Sequence, residues 1–250
     1  MTPSPDDHEV AAAVAEEAGR LLVDVRAEHA DLEGSALKDL GDREAHERIV
    51  ALLGQARPED AVLSEEGADD LRRLQASRVW IVDPLDGTRE FSERPRDDWA
   101  VHVALWQEGR LVAGAVALPA RGVVHRMDRP QPLPPRPEGP VRLAVSRSRP
   151  PAFVVDLAER LGAELVAMGS AGVKAMAVID GTVDAYVHAG GQYEWDSAAP
   201  VAVAIGHGLA PTRLDGSPLE YNRENPWLPD LVLARAEVDD EVRGALAGLA

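Results

Sequence analysis

Apolar residues recur at Val10, Ala13, Val14, Leu21, Leu22 and Val25. This three-to-four spacing predicts an amphipathic helix from Asp6 to about His29, with Asp6 or Asp7 as its cap. A second helix is predicted to start near Asp42, to carry Ile49, Val50, Leu52 and Leu53 inward, and to end at Arg57-Pro58. Ala61 to Leu63 reads as a short strand. Val79 to Val82 is apolar throughout and reads as a strand buried on both faces. Trp99–Trp106 and Arg110–Leu118 read as paired strands around a Gln107-Glu108-Gly109 turn, with another strand within Gly122–Met127.

The pattern breaks at Arg129–Pro140, where RPQPLPPRPEGP holds six prolines and resists regular structure. A boundary placed there divides the chain into an N-terminal half, 1–135, and a C-terminal half, 136–250. Beyond it strands (Val141–Val145, Glu164–Ala167, Asp184–His188, Leu231–Ala234) alternate with helices (Pro151–Leu161, Ser170–Ile179, Trp195–Ile205, Val238–Leu246). The fold class expected is therefore α/β, an α+β first half followed by an α/β second half.

Composition narrows the picture. With 250 residues, 45% hydrophobic, the chain has enough length for a real core. The absence of cysteine excludes disulfides, thiolate metal sites and cysteine nucleophiles. No apolar run reaches the ~20 residues that span a bilayer. The start of the sequence is polar and acidic, unlike a signal peptide, so a cytoplasmic protein with no membrane partner is expected. A formal net charge of -17 argues against binding a nucleic acid polymer. It suits an enzyme that collects divalent cations, although an acidic surface also simply maintains solubility.

Four acidic clusters are candidates for chemistry: Lys38-Asp39-Leu40-Gly41-Asp42, Ser64-Glu65-Glu66-Gly67, Asp83-Pro84-Leu85-Asp86-Gly87-Thr88 and Trp195-Asp196-Ser197-Ala198-Ala199. The third is the most informative. Pro84 cannot extend a strand ladder, so the chain is expected to turn directly after Asp83. Asp83, Asp86 and the Leu85 carbonyl then converge as hard oxygen donors of the kind Mg²⁺ prefers. Gly87 allows close backbone approach, and its N–H and that of Thr88 suit a phosphate oxygen. Each acid also has an ordinary reading: a capped turn for Asp83 and Asp86, a helix cap for Asp42 or Asp196, a solvated loop acid for Glu65.

D-P-L-D-G-T, W-D-S-A-A and an upstream E-E pair together resemble the inositol monophosphatase superfamily, over residues 38 to 200. The resemblance implies a layered αβαβα sandwich of the inositol monophosphatase/fructose-1,6-bisphosphatase type. It implies Mg²⁺-dependent hydrolysis of phosphate monoesters, often inhibited by Li⁺. It also implies Glu65, Asp83, the Leu85 carbonyl, Asp86 and Asp196 as ligands of two or three Mg²⁺, with Glu66 in support. Asp42 and Thr88 would orient and deprotonate the attacking water. Ser64 replaces a glycine common in the family. His102, His188 and His207 are not needed and read as structural.

Within the family, Arg89-Glu90-Phe91, Val145-Ser146-Arg147-Ser148 and Gly169-Ser170-Ala171-Gly172-Val173-Lys174 resemble bisphosphate nucleotidases, with Arg149 where a histidine is usual. Arg147, Ser170 and Lys174 would then bind sugar or second phosphate, though Arg147 and Lys174 equally suit solvated surface positions. Ala189 stands where inositol phosphatases carry a glutamate. The resemblance implies a small-molecule phosphate ester as partner, 3'-phosphoadenosine 5'-phosphate (PAP) foremost, with 3'-phosphoadenylyl sulfate second, in sulfate assimilation. An inositol-1-phosphate, fructose-1,6-bisphosphate or histidinol-phosphate phosphatase is the alternative within the class, and a catalytically silent nucleotide- or metal-binding regulator the alternative outside it. Apolar residues on the strands after Trp99, taken as exposed, leave a homodimer open.

Overall fold

Helix α1 (Pro5–Glu28) buries the stripe Ala11, Ala15, Ala18, Leu22 and Val25. It is seen in a computed structural model that describes residues 5–69, 71–148, 150–247 and 249. The expected cap positions, 6 and 7, lie within the helix, which already includes Pro5. Asp7 is buried and instead pairs with Arg57 at 2.9 Å and Arg78 at 3.0 Å. Helix α2 (Gly34–Ala56) starts well before Asp42 and buries Leu37. Gly41 sits inside the helix for a packing reason: a Cβ there would meet Phe91 Cε1 at 2.8 Å and Leu85 Cδ2 at 3.0 Å. Ile49 and Leu53 face inward, whereas Val50 is exposed.

The first sheet comprises β1 (Ala61–Ser64), β2 (Arg78–Asp86), β3 (Ala100–Gln107), β4 (Arg110–Leu118) and β5 (Val123–Arg126), in that spatial order, with the five-residue helix α3 (Thr88–Ser92) after β2. β1 lies parallel to β2, and the remaining pairs are antiparallel. β3 and β4 meet at a two-residue turn, Glu108 (φ 47°) and Gly109 (φ 88°), matching the twist of a tight hairpin. β2 does not end at Asp83. It continues to Asp86 through a register shift, Asp83 pairing with His102 and Asp86 with Ala100. The missing Pro84 N–H is absorbed by this bulge.

The second sheet has the order β7-β6-β8-β9, from β6 (Arg142–Ser146), β7 (Glu164–Met168), β8 (Ala185–Tyr193) and β9 (Trp227–Ala234). β6 is parallel to β7 and β8, and β9 runs antiparallel to β8. The helices are α4 (Ala152–Leu161), α5 (Ala171–Ile179), α6 (Glu194–Gly206) and α7 (Asp239–Leu246).

α1 and α2 cover one face of the first sheet, α5 and α6 lie between the sheets, and α4 and α7 cover the far face of the second. This is the expected αβαβα sandwich. The largest apolar cluster joins β1–β4 to α5, α6, β8 and β9, so the two sheets share one core. α6 approaches β4 closely: a Cβ on Gly114 would stand 2.5 Å from Ala202 Cβ. The proline-rich segment has no regular structure but is not loose. Leu133 packs on the core, and Pro134 accepts a 2.5 Å hydrogen bond from buried Arg235. The apolar residues of β3 and β4 are buried or half-buried. Among described residues of β3–β5, only Val123 is an exposed large apolar side chain. No helix among the described residues is long and apolar enough to cross a membrane.

Candidate active site

The bulge of β2 is the centre of the site. Asp83 Oδ1 accepts the Leu85 N–H at 3.0 Å, closing a turn around Pro84. That turn brings the carboxylates of Asp83 and Asp86 together at the face met by α6. There Asp196 completes a triplet whose ligand oxygens all lie within 4.8 Å of one another. Asp196 is the third residue of α6 rather than its N-cap, and its Oδ2 accepts the Tyr193 N–H at 2.7 Å. Parallel pairing sets Ser64 beside Val82, so Glu65 emerges next to Asp83 and hydrogen-bonds its carboxyl. Asp42, mid-helix rather than a cap, faces Glu65 and Glu66 from α2. Ser64 is buried, with Oγ 2.9 Å from His46 Nδ1.

Among the described residues, no arginine is among the largest influences on Asp83, Glu65, Asp42 and Asp196, and their proton affinities show it. Burial, then the charges of Glu65, Asp86 and Asp196, hold the Asp83 carboxyl far above the usual carboxylate range. Glu65 is open to solvent on one side; desolvation on the other, then the Asp196 charge, push it up to about 7. Asp42 is pushed up to about 7 by burial, Glu66 and Glu65, and Asp196 to about 6 by burial and Asp86.

Asp86 goes the other way. Burial would raise it, but His102, Lys174 and Ser170 together hold it below its ordinary value. Its Oδ2 accepts Ser170 Oγ at 2.5 Å and Gly172 N–H at 2.7 Å, and lies 3.2 Å from His102 Nε2. Ser170 (φ 54°) caps α5, accepting the Val173 N–H at 3.0 Å. Gly172 is required by the histidine, because a Cβ there would fall 2.1 Å from His102 Nε2. His102 Nδ1 lies 3.0 Å from the Trp195 carbonyl oxygen, so this residue ties the two aspartate-bearing elements together.

Lys174 is not a surface lysine. It is 7% exposed, donates to the Ser170 carbonyl at 2.7 Å and lies 5.3 Å from the Tyr186 ring centroid. Its burial lowers its pKa. Lys174, Ser170, Tyr186, His188, Gln192, Asp86 and Asp196 line a cavity of about 230 Å³. Gly87 (φ 89°) caps α3, and half-buried Thr88 is that helix's first residue. Arg147 is committed to carboxylates, donating to Glu90 at 2.9 Å and Glu93 at 2.7 Å. Ala189 is half-buried beside the β8 irregularity, His207 Nδ1 contacts the Val203 carbonyl away from the cluster, and Arg149 lies outside the described residues. Two groups escaped sequence reading, the Asp86 contact of His102 and the Tyr186–Gln192 pair (2.9 Å), as did the burial of Glu90. Antiparallel register brings His102 beside β2, the irregularity of β8 lies between Tyr186 and Gln192, and no local motif signals either contact.

An acid-lined cavity between two sheets of this topology defines a class. The chain matches the inositol monophosphatase family over residues 6–133 and 135–242, and it belongs to that family. Among curated relatives, a 3'-phosphoadenosine 5'-phosphate phosphatase of Mycobacterium bovis is 53% identical over 243 residues, covering 92% of this chain and 90% of the relative. The 3'(2'),5'-bisphosphate nucleotidase CysQ of Escherichia coli is 30% identical over 199 residues, covering 75% of this chain and 80% of its own. Among solved structures, CysQ from Bacteroides thetaiotaomicron superposes with a TM-score of 0.78 at 27% identity, over 92% of this chain and 97% of that one.

Proposed function

We propose that this chain is a Mg²⁺-dependent phosphomonoesterase, a 3'(2'),5'-bisphosphate nucleotidase that converts 3'-phosphoadenosine 5'-phosphate to AMP and inorganic phosphate. The observation that carries the chemistry is the convergence of Asp83, Asp86 and Asp196 in a cavity wall, with neighbouring acids whose charges are uncompensated. The names of the relatives supply the substrate.

The donor set fits a hard divalent cation, since the converging groups are carboxylates and burial has already removed much of their water. Glu65, Asp83, the Leu85 carbonyl, Asp86 and Asp196 would hold two or three Mg²⁺, with Glu66 in support. Mg²⁺ when bound neutralises phosphate charge and lowers the pKa of water. The remaining steps belong to the chain. Asp42, with a pKa of about 7, accepts the proton of the attacking water, and the Thr88 hydroxyl orients that water. Water attacks phosphorus, the bond to the ribose 3'-oxygen breaks, and that oxygen takes a proton from solvent. The backbone N–H groups of Gly87 and Thr88 hold a phosphate oxygen. Ser170 and Lys174 bind the sugar or the 5'-phosphate, Lys174 as a cation in the cavity wall. Arg147 joins them only by exchanging Glu90 and Glu93 for phosphate. In this reading the N-terminal half, 1–135, carries most of the acids, and 136–250 carries Asp196 and the substrate contacts. The implied role is recycling the by-product of sulfate assimilation.

Phosphate release with Mg²⁺ from 3'-phosphoadenosine 5'-phosphate, inositol 1-phosphate and fructose 1,6-bisphosphate, measured side by side, tests this. The nucleotide is expected to lead in kcat/KM by about a hundredfold, roughly 2.7 kcal/mol. A lead for either of the others would overturn the substrate, and no release from any would overturn the enzyme.

A further inference from the structure

Three aromatic rings stand together beside Gly191 and Gln192, two wall residues of the acid-lined cavity, and Trp227 itself lines an adjoining hollow of about 950 Å³. Tyr193 stacks flat on Trp195, centroids 4.8 Å apart and planes 6° apart, and meets Trp227 at 5.4 Å and 88°. Tyr193 and Trp227 are cross-strand partners at the end of the β8–β9 pair. Trp195 packs on the core, but Tyr193 is 40% and Trp227 45% exposed, an unusual outlay of aromatic surface in a chain with few aromatic residues.

Trp227 is seated there by design of the backbone. β8 is irregular between Ala189 and Gln192, with Gly190 at φ 117° and Gly191 at φ 96°. A Cβ on Gly191 would fall 1.9 Å from Trp227 Cη2, so the indole rests directly on that glycine. Gly191 and Gln192 are also wall residues of the cavity that holds Lys174 and Asp196. The short stretch 191–196 thus supplies the seat of the indole, part of the cavity wall, two rings of the platform and a carboxylate of the cluster. The Tyr193 N–H bonded to Asp196 joins the last two rigidly, at 2.7 Å.

We infer that Trp227, supported by Tyr193 and Trp195, is the specificity surface for the substrate's heteroaromatic base. A phosphate at the acidic cluster then has its nucleoside running along the Gly191–Gln192 wall onto the indole. Stacking accepts a planar π-system and gives an inositol or sugar ring far less, so the platform separates nucleotide from polyol phosphates without touching the reacting atoms. This inference rests on the nucleotide reading of the preceding section.

The test compares wild type, Trp227→Ala and Trp227→Phe in the full chain with Mg²⁺, on 3'-phosphoadenosine 5'-phosphate and inositol 1-phosphate. Trp227→Ala is expected to lower the nucleotide-to-inositol ratio of kcat/KM by about tenfold, through KM rather than kcat. Trp227→Phe, which keeps a ring, should restore most of the ratio. If wild type shows no nucleotide preference, the function reading itself fails. If wild type prefers the nucleotide and Trp227→Ala keeps that preference, only the platform is overturned. Sedimentation of the same variants adds a last arm: a change of oligomeric state with an unchanged ratio would assign the patch to self-association and also overturn it.

Discussion

Two groups of acids in this molecule behave oppositely. Asp7, Asp184 and Asp230 face arginines: Asp7 between Arg57 and Arg78, Asp184 on Arg142 at 2.7 Å, Asp230 on Arg213 at 2.7 Å. Burial alone would raise all three, yet their arginines hold them below the ordinary carboxylate value. Asp83, Glu65, Asp42 and Asp196 meet one another instead, and all four are raised. Desolvation acts on both groups; like-charged neighbours add to it in one, and arginines outweigh it in the other. Where the fold needs rigidity a carboxylate is neutralised internally. Where chemistry is done, negative charge is left for a ligand to neutralise, and this costs stability until that ligand arrives.

The sharpest way to break this contrast is Asp83→Asn. Turnover is expected to fall about a thousandfold, by analogy with other preorganised charge sites, while the metal-free protein melts at the same temperature or higher because a repelling charge is gone. Surviving turnover, or a strong loss of metal-free stability, would put Asp83 with the structural acids. Mg²⁺ at a hundred times its Kd should add about 2.7 kcal/mol of stability, read as a rise in Tm that Asp83→Asn reduces. The opposite population is tested by Asp184→Asn. Asp184 is fully buried and accepts from Arg142 Nε, Arg142 Nη2 and the Arg142 backbone N–H. Its loss should cost about 2 kcal/mol in urea denaturation, with kcat unchanged.

The smallest expected effect is in pH. Raised carboxyls bind protons more tightly in the folded chain than in the unfolded one, so their effect on stability falls as pH rises. The window runs from the unfolded value of about 4 to the folded values of about 6 for Asp196 and about 7 for Glu65 and Asp42. The arginine-paired acids, being lowered, act only below that window. The urea midpoint of the metal-free protein should therefore drop from pH 5.5 to 7.5, and Mg²⁺ should flatten the slope. A midpoint that climbs with pH would mean the cluster ionises without strain.

Helix α1, strand β2 and the alternation of the second half were readable because burial on one face imposes a period on the residues themselves. α2 starts at Gly34, ahead of the expected Asp42, and Gly41 is accommodated inside it by the Phe91 ring of another element. The acids of the site were legible as clusters, since a tight turn needs its proline, glycine and aspartates adjacent in sequence. Lys174 was readable as a residue but not as buried. His102 carried no signal at all, because an antiparallel register brings it beside β2 and a glycine on α5 makes room for it.

The sequence by itself therefore determined the elements, the family and the local turn that gathers Asp83 and Asp86, because these depend on neighbours within a few residues. Tertiary structure alone decided which acids stay uncompensated, that His102 and Lys174 hold Asp86 ionised, and that Tyr193 and Trp227 stand together. Those outcomes depend on charge, burial and contact between residues brought together by sheet register and layer packing, which local pattern does not encode.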